Sequence, residues 1–129
     1  MKYLLDTAVF LWAAFSENAC LSAGAIKTLE KSKNEIYLSS VSVWEISIKF
    51  SLGKLPLKTT PEKLVSEYAP QMDFQPLPIT HDHSLQVVRL PFHHRDPFDR
   101  LLIAQAQVEN LPIITSDAHF KKYGIETVW

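Results

Sequence analysis

The chain reads as an α/β domain in which helices flank a central, mostly parallel sheet. Short apolar strand candidates alternate with helical stretches along its length. Strands separated by a dozen or more residues that include a helix pair in parallel, whereas hairpins need only a tight turn. With 129 residues, 47% of them hydrophobic, there is material for one ordinary core and little for a second, so residues 1–129 are expected to form a single domain.

Lys2 to Leu5 is a compact strand, and Thr7 through Phe15 reads as helix. Ser22 is placed to cap a second helix with Ile26 and Leu29 inward, and Glu35 to Leu38 returns as strand. Ser40 or Ser42 caps the next helix, whose Val41, Trp44, Ile48 and Leu52 follow three-to-four spacing until Gly53 ends it. Pro56 and Pro61 bracket a loop, followed by a helix from Glu62 to about Tyr68, a short strand from Leu77 to Ile79 and a helix from His83 to Arg89. Asp96 reads as the cap of a helix that begins at Pro97, runs to Glu109 and is ended by Asn110 and Pro112. Pro112 to Thr115 is a strand, Asp117 to Lys122 a short helix, and Ile125 to Val128 a closing strand.

Five carboxylates, Asp6, Glu45, Asp96, Asp99 and Asp117, fall where these elements begin or end. Asp6 and Asp117 each follow a strand and therefore emerge at the carboxyl edge of the sheet, where open α/β folds place their sites. Asp96 and Asp99 lie at a helix start, whose dipole tolerates negative charge, and Glu45 projects from the early part of its helix. Each has a plainer reading as well: Asp6, Asp96 and Asp117 as helix caps, Asp99 as the far half of a capping box, Glu45 as a solvated helix position. Independent caps have no reason to converge on one edge, however, and clustered carboxylates take up protons unless a cation offsets their repulsion. A divalent ion with oxygen preference fits that need.

The formal net charge of −1 does not advertise nucleic-acid binding, but with the five candidate acids set aside from the 14, nine remain against 13 basic side chains. A neutralised cluster thus leaves a surface able to attract a polyanion. Cys20 is alone, which excludes an internal disulfide, and the cytoplasm is expected. The apolar run from Ala8 to Phe15 is eight residues, against about 20 for a membrane span, so no membrane association is expected. The five histidines match no zinc pattern, and no nucleophile elbow or phosphate-cradling glycine loop occurs.

Four stretches bear a closer likeness. They are Leu4-Leu5-Asp6-Thr7; Ser42-Val43-Trp44-Glu45-Ile46-Ser47-Ile48-Lys49 with Gly53-Lys54-Leu55; His93-His94-Arg95-Asp96-Pro97-Phe98-Asp99-Arg100-Leu101-Leu102-Ile103-Ala104-Gln105-Ala106; and Thr115-Ser116-Asp117. In this order the chain resembles PIN domains, and among them the VapC-like ribonuclease toxins of type II toxin–antitoxin pairs. The resemblance implies a three-layer α/β/α sandwich and an acidic pocket holding Mg²⁺, with Mn²⁺ as substitute. It maps Asp6, Glu45 and Asp99 onto the metal-pocket acids, with Asp117 as a fourth; Asp96 stands where many relatives carry a single acid. It also implies an RNA substrate, a small antitoxin laid across the pocket, and homodimerisation.

Carboxylates suit such chemistry because they hold a hard cation and leave positions for water and a phosphate oxygen. Asp6 and Asp99 are expected as direct ligands, with Glu45 and Asp117 binding directly or through water. Thr7, Thr115 and Ser116 carry hydroxyls that either orient a carboxylate or water, or simply cap. Arg95 and Arg100 bracket the paired aspartates, to contact substrate phosphates or to pair with a neighbouring acid. Two other classes are weighed. A receiver-like phosphoacceptor needs an acceptor Asp at a mid-chain strand end, where this chain has Ser39-Ser40; a noncatalytic protein-binding module on the same scaffold would show no metal-dependent cleavage.

Overall fold

The computed structural model describes residues 1–129. In chain order it contains β1 (Lys2–Leu5), α1 (Thr7–Ala14), a 3-10 turn (Asn18–Cys20), α2 (Ala23–Glu30), β2 (Glu35–Ser39) and α3 (Ser40–Ser51). A helical run over 61–71 follows, composed of α4 (Pro61–Lys63), a π-helical turn (Leu64–Tyr68) and α5 (Ala69–Gln71). Then come β3 (Phe74–Leu77), α6 (His81–Gln86) with a 3-10 extension (Val87–Arg89), α7 (Pro97–Glu109), β4 (Ile113–Ile114), a 3-10 stretch (Ala118–Tyr123) and β5 (Thr127–Val128).

All four strand pairings are parallel and the order is β3-β2-β1-β4-β5. From the central β1 the chain moves outward through β2 and β3, then returns to the other side of β1 for β4 and β5. The winding reverses between β1 and β4, and such a reversal opens a crevice at the carboxyl ends of the two strands.

Side-chain alternation divides the core between the two faces of the sheet. Leu5, Ile36, Leu38 and Ile114 meet Val9, Phe10, Ala25, Ile46, Leu64 and Phe74 on one face. Leu4 and Ile113 meet Leu102, Ile103, Phe120 and Tyr123 on the other. Full burial of each Leu or Phe contributes about 1.5–3 kcal/mol. The result is the three-layer α/β/α arrangement expected from the sequence.

Several elements differ from the sequence reading. β3 lies at 74–77 rather than 77–79 and contains Pro76; it is an edge strand, so a missing N–H can be accommodated. The cap of α3 is Ser39, not Ser40 or Ser42: β2 runs one residue further, and Ser39 Oγ accepts the Val41 N–H. Trp44, Ile48 and Leu52 do not form the inward face of α3. Its buried residues are Val41, Ser42, Glu45 and Ile46, while Trp44 and Leu52 are 48% and 61% exposed. The helix is turned to present Glu45 inward, and Trp44 packs instead against Phe98 with ring centroids 4.8 Å apart. α6 starts at His81 behind a Thr80 capping box, which buries His83. The end signals hold: Gly53 and Asn110 both adopt positive φ just beyond the last turns of α3 and α7.

Candidate functional site

Each carboxylate is delivered by a separate local device. Asp6 directly follows β1, its N–H bonded to the Ile114 carbonyl of β4 at 3.1 Å. It starts α1 without a side-chain capping bond; instead its Oδ2 accepts the Thr115 hydroxyl at 2.8 Å. The same Thr115 oxygen accepts the Asp117 N–H at 3.0 Å, so one buried hydroxyl ties the ends of β1 and β4 together. Glu45 is buried on α3. Asp96 does cap α7, accepting the N–H groups of Phe98 and Asp99. This leaves the Asp99 side chain free of capping and turned to His94, 3.0 Å away. Asp117 caps the 3-10 stretch through the His119 N–H and also meets the His119 ring at 2.8 Å.

All five acids line one cleft of about 360 Å³, together with Thr7, Ser116 and Lys49 over an apolar base of Ala8, Leu11, Ile46 and Leu55. Of the predicted hydroxyls, Thr115 holds a carboxylate. Thr7 lines the cleft but donates to Ser42 Oγ at 2.8 Å. Arg95 and Arg100 are not brought into the cleft; they line a separate hollow with Phe92 and Pro97. Arg100 is buried and donates to the carbonyls of Val87, Leu90, Pro91 and His94, clamping the loop that leads into α7. Arg100→Met is therefore expected to lower the stability of the fold by about 3 kcal/mol, read by urea denaturation, because several carbonyls lose a charged donor together. Arg100→Lys would not restore it, since an ammonium cannot fork across those acceptors.

Sequence reasoning missed one residue that lines the cleft, Lys49, and one that touches its acids, His94. Lys49 Nζ lies 2.5 Å from Glu45 Oε2; its i+4 spacing from Glu45 was the available signal. His94 accepts the Asp96 N–H on Nδ1, which places the proton of the neutral ring on Nε2, facing Asp99. The histidines, which match no zinc pattern in sequence, nonetheless take structural places: His94 contacts the acids, and His83 is buried against Thr80 and Gln105. Both placements depend on tertiary contacts that no periodicity announces.

The electrostatics are those of a partly buried acid cluster. Burial raises the Asp6 pKa, opposed by the Thr115 hydroxyl and the Thr7 N–H and reinforced by the charges of Glu45 and Asp117. Burial, then the charges of Asp6, Asp96, Glu45 and Asp117, push Asp99 up to about 7. Asp117 is lowered: partial burial opposes this, but the His119 N–H, the His119 ring and His94 prevail. Lys49 is raised, chiefly by its bond to Glu45. Thr115→Val, which removes the Asp6 donor and the Asp117 acceptor at once, is expected to cost about 1–3 kcal/mol of stability in a urea melt. It should also weaken divalent-ion binding measured by calorimetry.

Comparison with known proteins places this geometry in context. A family model described as PIN domain matches residues 3–126. No curated protein sequence matches the chain. Among solved structures, a chain of VapBC2 from Rickettsia felis, bound to a DNA fragment from their promoter, superposes with a TM-score of 0.73 at 17% identity, covering 98% of this chain and 97% of that one. FitAcB from Neisseria gonorrhoeae gives 0.63 at 20% identity, covering 98% and 96%. VapBC-5 from Mycobacterium tuberculosis, a member of the VapBC family of toxin–antitoxin systems, gives 0.59 at 18% identity, again covering 98% and 96%.

Proposed function

The chain belongs to the PIN-domain family, and from that premise we propose that it is a metal-dependent endoribonuclease, the VapC-like toxin of a toxin–antitoxin pair. The observation that carries this reading is the convergence of Asp6, Glu45, Asp96, Asp99 and Asp117 on one cleft at the reversal of the sheet. The residues fit a hard divalent ion: carboxylate oxygens predominate, thiolates are absent from the cleft, and burial, reinforced by the neighbouring charges, raises the pKa values of Asp6 and Asp99. The His94 ring, with its proton on Nε2, supports the carboxylates as a donor rather than offering a lone pair.

Asp6 and Asp99 would hold Mg²⁺ (or Mn²⁺) directly, with Glu45 and Asp117 reaching it directly or through water; Asp96 keeps the α7 start in place. When bound, such an ion acidifies a coordinated water and offsets charge on the phosphoryl oxygens. Thr115 orients Asp6, His94 orients Asp99, and the apolar base limits water access beneath the acids. The water oxygen attacks phosphorus as the ester P–O bond on the opposite side breaks; water releases one proton and the leaving oxygen takes one up.

The solved neighbours include toxin–antitoxin complexes, which supports a small antitoxin as partner. Trp44 and Phe50 on α3, and Leu52 just beyond it, expose apolar surface of the kind that protein partners or a second copy in a homodimer cover. No helix is long and apolar enough to cross a membrane, and the site of action proposed is RNA in the cytoplasm. Cleavage of labelled RNA should require Mg²⁺ or Mn²⁺, stop with chelator and be lost in Asp99→Asn. RNA loss equal with and without metal, or undiminished in the variant, would remove the proposal, and no RNA loss under any condition would leave a noncatalytic module.

A further inference from the structure

The acidic cleft has two unlike halves. On one, the His94 ring and the Asp99 and Asp117 carboxylates place side-chain atoms within 4.8 Å of one another. Glu45 is outside that group and already has a cation: Lys49 Nζ sits 2.5 Å from its Oε2. Lys49 is one helical turn beyond Glu45, lines the same cleft, and has the Phe98 ring 6.0 Å from its ammonium. The charges of Asp96 and Asp99 act on it as well. An ordinary surface pair one turn apart on a helix contributes little because both partners are solvated. Here the carboxylate partner is only 10% exposed while the lysine keeps 42%, so the ammonium is anchored inside and still accessible. Of its three N–H donors, the Glu45 bond uses one.

Resting on the nuclease reading above, we propose that Lys49 is the resident cation of the Glu45 half of the cleft. It stands in place of a second divalent ion, leaves a single metal to Asp6, Asp99 and Asp117 with Glu45 reaching it only through water, and directs its free N–H groups to the non-bridging oxygens of the scissile phosphate. Lys49 keeps its protons throughout; it acts by charge and hydrogen bonding while water adds to phosphorus and the ester bond breaks. It is thus a catalytic residue, distinct from those that only hold carboxylates.

The test titrates MnCl₂ into wild type, Lys49→Met and Lys49→Arg by calorimetry and measures RNA cleavage by the same proteins at saturating Mg²⁺. Wild type should bind one Mn²⁺ per chain, and Lys49→Met should gain a second. The kcat of Lys49→Met should fall by about 100-fold with little change in KM, and Lys49→Arg, which keeps the charge, should recover about a tenth or more of it. Two ions bound by wild type, or wild-type kcat in Lys49→Met, would overturn the assignment. Absence of RNA cleavage by wild type would instead defeat the nuclease reading, and the wild-type Mn²⁺ count, which depends on no variant's folding, would still decide where the second cation lies.

Discussion

Asp6→Asn is expected to reduce RNA cleavage by at least about 100-fold while leaving the metal-free protein as stable as wild type or slightly more stable. The side chain is buried, and its carboxylate is disfavoured first by that burial and then by the charges of Glu45 and Asp117. An amide of the same shape loses the negative charge and the affinity for a hard cation, yet its oxygen can still accept the Thr115 hydroxyl now 2.8 Å away. Like-charge repulsion falls, so the fold should not suffer. Thermal melts in chelator, run beside the cleavage assay, separate the two roles. Severe destabilisation would make Asp6 a structural residue, and retained cleavage would remove it from the site.

Divalent ions should stabilise the protein strongly, with an opposite pH dependence in their absence. At an ion concentration 100-fold above Kd the gain is about 2.7 kcal/mol, or about 10 °C in Tm for a chain of this size. In chelator, the folded protein holds the Asp99 proton with a pKa of about 7, against 3.8 for an unperturbed aspartate. The folded state therefore binds more protons between those values, so metal-free stability rises as pH falls from about 7 toward about 4 and carries its full penalty above 7. Asp6 shifts in the same direction; Asp117, which is lowered, works against it only as pH falls through the low carboxylate range. A bound ion competes with these protons, so stabilisation by Mg²⁺ should be largest above pH 7 and fade below it. Melts at about pH 8 and about pH 5.5, with Mg²⁺ and with chelator, check both slopes. A chelated protein indifferent to pH would mean that Asp99 is not held, as the structure has it, in a buried position among like charges.

The sheet and the acids were legible because their signals are local. Strand runs bounded by turns, Asp96-Pro97 opening a helix, and Gly53 and Asn110 closing helices depend on a few adjacent residues, and the structure keeps them. The cleft acids could be grouped because a parallel sheet sends every strand end to one edge. What failed depends on contacts distant in sequence. Trp44, Ile48 and Leu52 make a regular apolar stripe, but α3 rotates it outward because Glu45 and Ser42 are drawn to the crevice, where Ser42 receives the Thr7 hydroxyl. Pro76 hid an edge strand. Arg100, beside Asp99 in sequence, turns to loop carbonyls because the chain entering α7 needs a donor there. Lys49 lines the cleft one turn beyond Glu45, a spacing the sequence does carry, whereas His94 reaches Asp99 only through the course of the loop that enters α7.

The hydroxyl that joins Thr115 to Asp6 spans 109 positions of the chain. Asp6 leaves the ribosome 109 residues ahead of Thr115, so the crevice closes only after that whole stretch has emerged. A chain stalled or clipped before Thr115 has neither β4's final turn toward Asp6 nor Asp117. Such a fragment would lack both the hydroxyl that holds Asp6 and the last of the five cleft carboxylates.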